Sequence, residues 1–325
     1  NSKVADMKKK TQAGSAWLLS ACMMLSPMIS LAEQQLTASG TVVVTSDMVA
    51  DTDARYTLTV NGVETPLAEG TYENATLTQS EAYGQFGSSS QGEKSDYAYR
   101  SAIYVDAGGV NEARSARDAI QGGTVDDTKA EGITIASTSD SFSGIIVDGA
   151  EYTIADATLT LDSAYDGSNV NDFTGLGTAI VNANQGKLTL LRSTIKTSGV
   201  AKLALLTDSG AATLVQDSEI SVQGGTLYDG YVNNSNMATM VAPPWVLGIA
   251  GNARLSNIEG KYSLLTVVNS KLTSSGWGTL STDSGSDMQI VTVDSEISID
   301  QANANYTNDP YLDQYGTGYG VFAIG

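Results

Sequence analysis

The residues of this chain that could do chemistry are few, and the first facts about them are absences. There is no histidine, and the only cysteine is Cys22. That removes His-based triads, His-ligated zinc and thiolate chemistry. A serine nucleophile would need another base, and no spacing suggests one. Asp126-Asp127 is an adjacent aspartate pair in the turn-like TVDDTKAEG, where a glycosidase would want two facing carboxylates. It reads as a solvated loop. DGSNVND, residues 166–172, offers hard oxygen ligands but lacks the spacing and distal Glu of an EF-hand loop. It reads as a polar turn. Arg192 and Arg254 fall in or near repeated segments, but Arg192 occupies a position filled elsewhere by Asp and Asn. No catalytic residue, metal ligand or cofactor is assigned.

Aromatic residues point to contact rather than catalysis. Tyr228 and Tyr231, Trp245 after Pro243-Pro244, and Trp277 stand outside the repeated pattern. Tyr306, Tyr311, Tyr315 and Tyr319 gather near the end among Asn and Asp. Aromatic faces beside amides and carboxylates suit a sugar or a protein surface, and the competing reading is that Trp245 and Trp277 plug the core. The candidate binding residues are Tyr228, Tyr231, Trp245 and Trp277.

What must position them is an internal repeat. LTLLRSTIKTSG (Leu188 to Gly199) is followed by TLVQDSEISVQG, and the pair returns as LTVVNSKLTSSG and IVTVDSEISID. Ser193 and Ser218 are 25 residues apart, and so are Ser270 and Ser295. Two residues after each marker serine stands a large aliphatic: Ile195, Ile220, Leu272, Ile297. Three before it stand Leu190, Val215, Val267 and Thr292. Short β-branched runs cut by Asn, Asp, Ser and Gly read as strands between bends. Stacked in register they would put aliphatic on aliphatic, a face that no single unit could bury alone.

These features resemble right-handed parallel β-helix proteins of the pectin-lyase-like kind, and among them secreted or autotransporter-passenger proteins of bacteria. The 25-residue rung, the aliphatic columns and the TDSG turns at 207–210 and 282–285 carry the resemblance. It implies an all-β solenoid with an irregular β-rich N-terminal cap. It implies no particular activity, because one fold hosts many.

Read in order, residues 1–6 precede Met7 and are taken as upstream sequence. Residues 7–32 have a basic start, an uncharged apolar run and small residues at Ser30 and Ala32, which marks a signal peptide cut before Glu33. A retained anchor, or a lipoprotein box at Leu19 to Cys22, is the rival reading. Residues 33–98 are expected to form the cap and a loop, with a tight turn at Asn61-Gly62. Residues 99–325 form the solenoid, with room for about nine rungs stacked ~4.8 Å apart. Ala157 takes the marker position before Ser193, so that rung carries an excursion over 163–177. The 52 residues from Ser218 to Ser270 are read as two rungs with a small insertion. The chain stops at YGVFAIG without a cap, which suggests a truncated C-terminus.

The formal net charge is −19, and removing residues 1–32 makes the chain more acidic still. Such a surface disfavours nucleic acid and anionic lipid. No membrane span is expected in the mature chain. The function expected is a non-enzymatic, adhesin-like or structural one, on a secreted or outer-surface bacterial protein, with a glycan or a host or cell-surface protein as partner. The alternative is a carbohydrate-active enzyme of the same fold, lyase or hydrolase. A cluster of charged residues on one exposed sheet face would favour that alternative, and no repeating acidic column is evident in the sequence.

Overall fold

The alternation of aliphatic and polar residues in the repeated segments becomes three long parallel sheets. The computed structural model describes residues 37–50, 55–82, 86, 99–164, 166, 173, 175–226, 229, 254–275, 278–300 and 319–323. The chain visits the sheets in fixed cyclic order, leaving one strand in each. The first stack contains Arg100–Asp106, Phe142–Asp148, Ile180–Ala183, Leu205–Thr207, Arg254–Lys261, Gly278–Ser286 and Tyr319–Ala323. The second contains Lys129–Glu131, Glu151–Ala155, Lys187–Leu191, Ala212–Gln216, Leu264–Val268 and Gln289–Val293. The third contains Thr134–Ser137, Thr158–Asp162, Thr194–Ser198, Glu219–Gln223, Lys271–Ser274 and Glu296–Ile299. Among the described residues this makes six complete circuits and the first strand of a seventh, fewer than the nine expected.

One circuit of the difference lies between Ser218 and Ser270. Glu219 pairs directly with Lys271, and the Ser218 amide donates to Ser270 Oγ at 3.0 Å. The 52-residue interval is therefore one circuit with a long connection, and not two. The other expected excursion is where the sequence placed it: Thr158 pairs with Thr194 across a 36-residue interval.

Register puts like on like. Ile195, Ile220, Leu272 and Ile297 form one column of the third stack, and Leu190, Val215, Val267 and Thr292 one of the second. The first three residues of each column are fully buried in a single apolar cluster shared with Ile103, Ile145, Ile180 and Leu205 of the first stack. Some polar residues of the interior are bonded to one another: Asn182 Nδ2 donates to Thr213 Oγ1 at 3.0 Å, and Thr213 and Thr207 share a 2.8 Å hydroxyl contact, whereas the buried hydroxyls of Ser101, Ser143 and Ser256 have no partner among the described residues.

The bend between second and third stacks is always two residues. In the first circuit it is Gly132-Ile133; in the others its first residue is Asp156, Arg192, Asp217, Asn269 or Asp294, each left-handed with φ between 45° and 53°. Asp and Asn tolerate that conformation through local side-chain bonding. In these the second residue is the marker serine, or Ala157. Each serine hydroxyl donates to the carbonyl two residues back, at 2.8 Å, and accepts the amide of the equivalent residue one circuit earlier, at 3.0–3.1 Å. The marker serine recurs because it joins circuits where side-chain stacking cannot.

Residues 37–79 form a separate four-stranded antiparallel sheet with its own apolar cluster of Val42, Val44, Leu58, Ala75 and Leu77. Its expected tight turn is present: Tyr56–Val60 and Val63–Thr65 pair antiparallel around Asn61 and Gly62, both at positive φ. Three short strands of the 107–128 segment, Gly109–Val110, Ile120–Gln121 and Thr124–Val125, lie antiparallel on the N-terminal edges of the first, third and second stacks. No helix among the described residues is long and apolar enough to cross a membrane.

Candidate functional site

The connections are distributed unevenly, and that locates the candidate site. From second to third stack every connection is two residues. From third to first stack they are 138–141, 163–179, 199–204, 224–253, 275–277 and 300–318. The three longest therefore start and finish at one corner, on the same side of the stacked strands. Only the 107–128 segment, at the corner from first to second stack, is of comparable length.

Tyr228, Tyr231 and Trp245 belong to the 224–253 connection, and Trp277 to 275–277. All four lie outside the described residues, as do Tyr306, Tyr311 and Tyr315. The strands flanking the four are described, and in every case they are a third-stack strand and the next first-stack strand. The described ends of both connections lie at the corner between the third and first stacks.

Beside that corner, the outer face of the first stack changes chemistry along its length. Tyr104, Ile146, Val181 and Leu206 form one outward column in a second apolar cluster with Tyr99, Leu176 and Leu203. The next two residues of the column are Asn257 and Ser281. Around them is a buried polar network. Arg254, 1% exposed, donates from Nη1 to Asp283 Oδ2 at 3.0 Å, and to Asn257 Oδ1 and Ser281 Oγ at 3.3 Å each. Its guanidinium lies 4.8 Å from the centroid of the Phe173 ring. Asn257 Nδ2 donates to Glu259 Oε1 at 2.6 Å, and Glu259 is fully buried. Sequence reasoning named Arg254 but missed Asn257, Glu259, Ser281 and Asp283. Their outward phase was readable from strand alternation; that Asn257 and Ser281 are neighbours was not.

A second polar region is the bend between second and third stacks. A groove of 570 Å³ is lined there by Arg192, Asp217, Glu219, Asn269, Lys271, Asp294 and Glu296, among others. The bend positions stack in the order Asp156, Arg192, Asp217, Asn269 and Asp294, so the acids alternate with a cation and an amide and form no unbroken acidic column. Two neighbouring pairs of the column are bonded, and a third pair lies on the adjoining strands. Arg192 forks onto Asp156 at 2.9 and 2.8 Å, Asn269 Nδ2 donates to Asp217 Oδ1 at 2.6 Å, and Lys271 Nζ is 3.7 Å from Glu296. The hydrogen bond and charge of Arg192 hold the Asp156 carboxyl below its usual range, while Asp156 pushes the guanidinium above its own. Arg192 is thereby a fixed cation and a poor base.

The aspartate pair read from the sequence has a structural role. Asp126 Oδ1 accepts the Thr128 and Lys129 amides and the Thr128 hydroxyl, all at 2.8 Å, and the first of these bonds lowers its pKa most. Asp127 Oδ1 accepts the Val110 amide at 3.0 Å. The pair closes a turn, as read. The Tyr104 hydroxyl donates to Asp148 Oδ2 at 2.6 Å and accepts from Arg114 at 3.2 Å. Burial, then Asp148, pushes its pKa well up, so it stays a donor. Residues 167–172 lie outside the described residues, and among the described ones no group of three acidic side chains is placed to hold a metal ion. Compared with protein families, with curated proteins and with solved structures, the chain matches none.

Proposed function

We propose that this chain is a right-handed parallel β-helix of the pectin-lyase-like kind, secreted or displayed on a bacterial surface, that works by binding. The cyclic visit to three parallel stacks supports the β-helix reading. The observation that carries the binding reading is the single corner from which 163–179, 224–253 and 300–318 all leave. A rigid stack spaces such connections along a line, so individually weak contacts with a glycan or a cell-surface protein can add.

The test exchanges residues 227–252 for the six-residue connection of the neighbouring circuit, residues 199–204. Retention on polysaccharide or cell surfaces should be lost while the melting temperature and β-sheet circular dichroism are kept. Trp277→Ala should weaken retention in the same way. Retention that survives both changes refutes binding through this corner. The export reading is checked by N-terminal sequencing, which should find Glu33 first.

The Arg254–Asp283 pair favours a second reading, a carbohydrate-active enzyme of the same fold. Purified protein would be incubated with pectic, acidic and neutral glycans, with and without Ca²⁺, while unsaturated products and reducing ends are followed. Turnover abolished by Asp283→Asn would establish that reading over the first.

A further inference from the structure

The apolar cluster of the 37–79 sheet shares no residue with the cluster that runs through the three stacks. A polar contact centred on one side chain joins the two. Arg55 Nη2 donates to Ser137 Oγ at 3.2 Å, and its guanidinium lies 4.1 Å from the centroid of the Phe142 ring. Burial raises the pKa of Asp118 in the first circuit, and the charge of Arg55 opposes that rise while Glu64 of the sheet adds to it. A second attachment lies at Ser80 and Glu81: Arg100 Nε donates to the Ser80 carbonyl at 3.0 Å, and the Glu81 amide to the Ala113 carbonyl at 2.7 Å.

We propose that residues 37–79 are a separately folded module, hinged at Ser80-Glu81 and latched onto the first circuit by the Arg55 side chain. A fused apolar core would make the two units melt together. A cation on one ring and one hydroxyl is a small, directional attachment, so it opens locally before either core does. The latch sits on Ser137 and Phe142, the two residues that bracket the first third-to-first connection. Opening would uncover the ring face of Phe142, a fully buried core residue, and free the N-terminal end of that corner. None of this depends on what the corner binds.

The test is hydrogen exchange with mass spectrometry on the full chain, comparing wild type with Arg55→Asn and Arg55→Lys. Asn suits the left-handed backbone at this position (φ 48°), so the module itself is spared. Peptides covering 118–121 and 137–142 should exchange about tenfold faster or more in Arg55→Asn, while 56–60 and 70–79 keep wild-type protection. Arg55→Lys keeps the charge without the planar stack and should fall between. Joint loss of protection in 56–60, 70–79 and 137–142 would mean one cooperative unit, and would overturn the proposal. Unchanged exchange at 137–142 would overturn it too, because Arg55 would then hold nothing.

Discussion

The amide of Ser193 donates to the hydroxyl of Ser218, one circuit on, at 3.1 Å. Ser218 returns the bond to its own strand by donating to the Gln216 carbonyl at 2.8 Å. The same two bonds recur at Ser270 and Ser295, so the serine line is a hydrogen-bonded ladder along one edge of the stack.

Ser218→Ala removes both bonds and leaves the buried Ser193 amide without an acceptor. Such an orphan costs about 1–3 kcal/mol. Urea unfolding should show a loss of that size for Ser218→Ala and a smaller one for Ser295→Ala, whose hydroxyl is open to water.

Ile220 is 1% exposed and stacks between Ile195 and Leu272, whereas Glu219 beside it is exposed. Ile220→Asp should destabilise by about 4 kcal/mol or more, since a carboxylate would lie unpaired in an aliphatic column. Glu219→Ala should stay within about 0.5 kcal/mol of wild type. Equal melting of the two variants would mean that the inward and outward phases are reversed.

Arg254→Met leaves Asp283 and Asn257 without their guanidinium partner. Removing one side of a buried pair costs about 3–5 kcal/mol, so the loss should be near the lower figure given the partial exposure of Asp283. Adding Asp283→Asn to Arg254→Met should recover part of it. A double variant as unstable as the sum of both singles would refute coupling between the two residues.

Burial raises the pKa of Asp118, an effect that Arg55 opposes without cancelling. The folded state thus holds the proton more tightly than the unfolded chain. Its contribution to stability is fully present below the unfolded pKa and is lost as pH rises through the folded one. Asp118→Asn should therefore stabilise the protein at neutral pH and flatten that part of the pH profile. Lower stability than wild type at pH 7 would mean that the attraction to Arg55 outweighs desolvation.

The sequence by itself determined the inward phase of the repeated strands, in the columns Leu190 to Thr292 and Ile195 to Ile297, and the serine bends between stacks. Stacking makes each side chain its own neighbour one circuit on, so the in–out pattern and the bend chemistry must repeat in the sequence. The sequence likewise marked Asn61-Gly62 as a turn, because that signal is local. Only the tertiary structure decided how many circuits there are. Closing a connection costs free energy that grows slowly with its length, so 52 residues can span one circuit as readily as two. For the same reason the sequence could not show that the connections 224–253 and 275–277 leave from one corner, nor bring Asn257 beside Ser281. Those relations depend on which strand is next in the stack, and an insertion of any length leaves them unchanged.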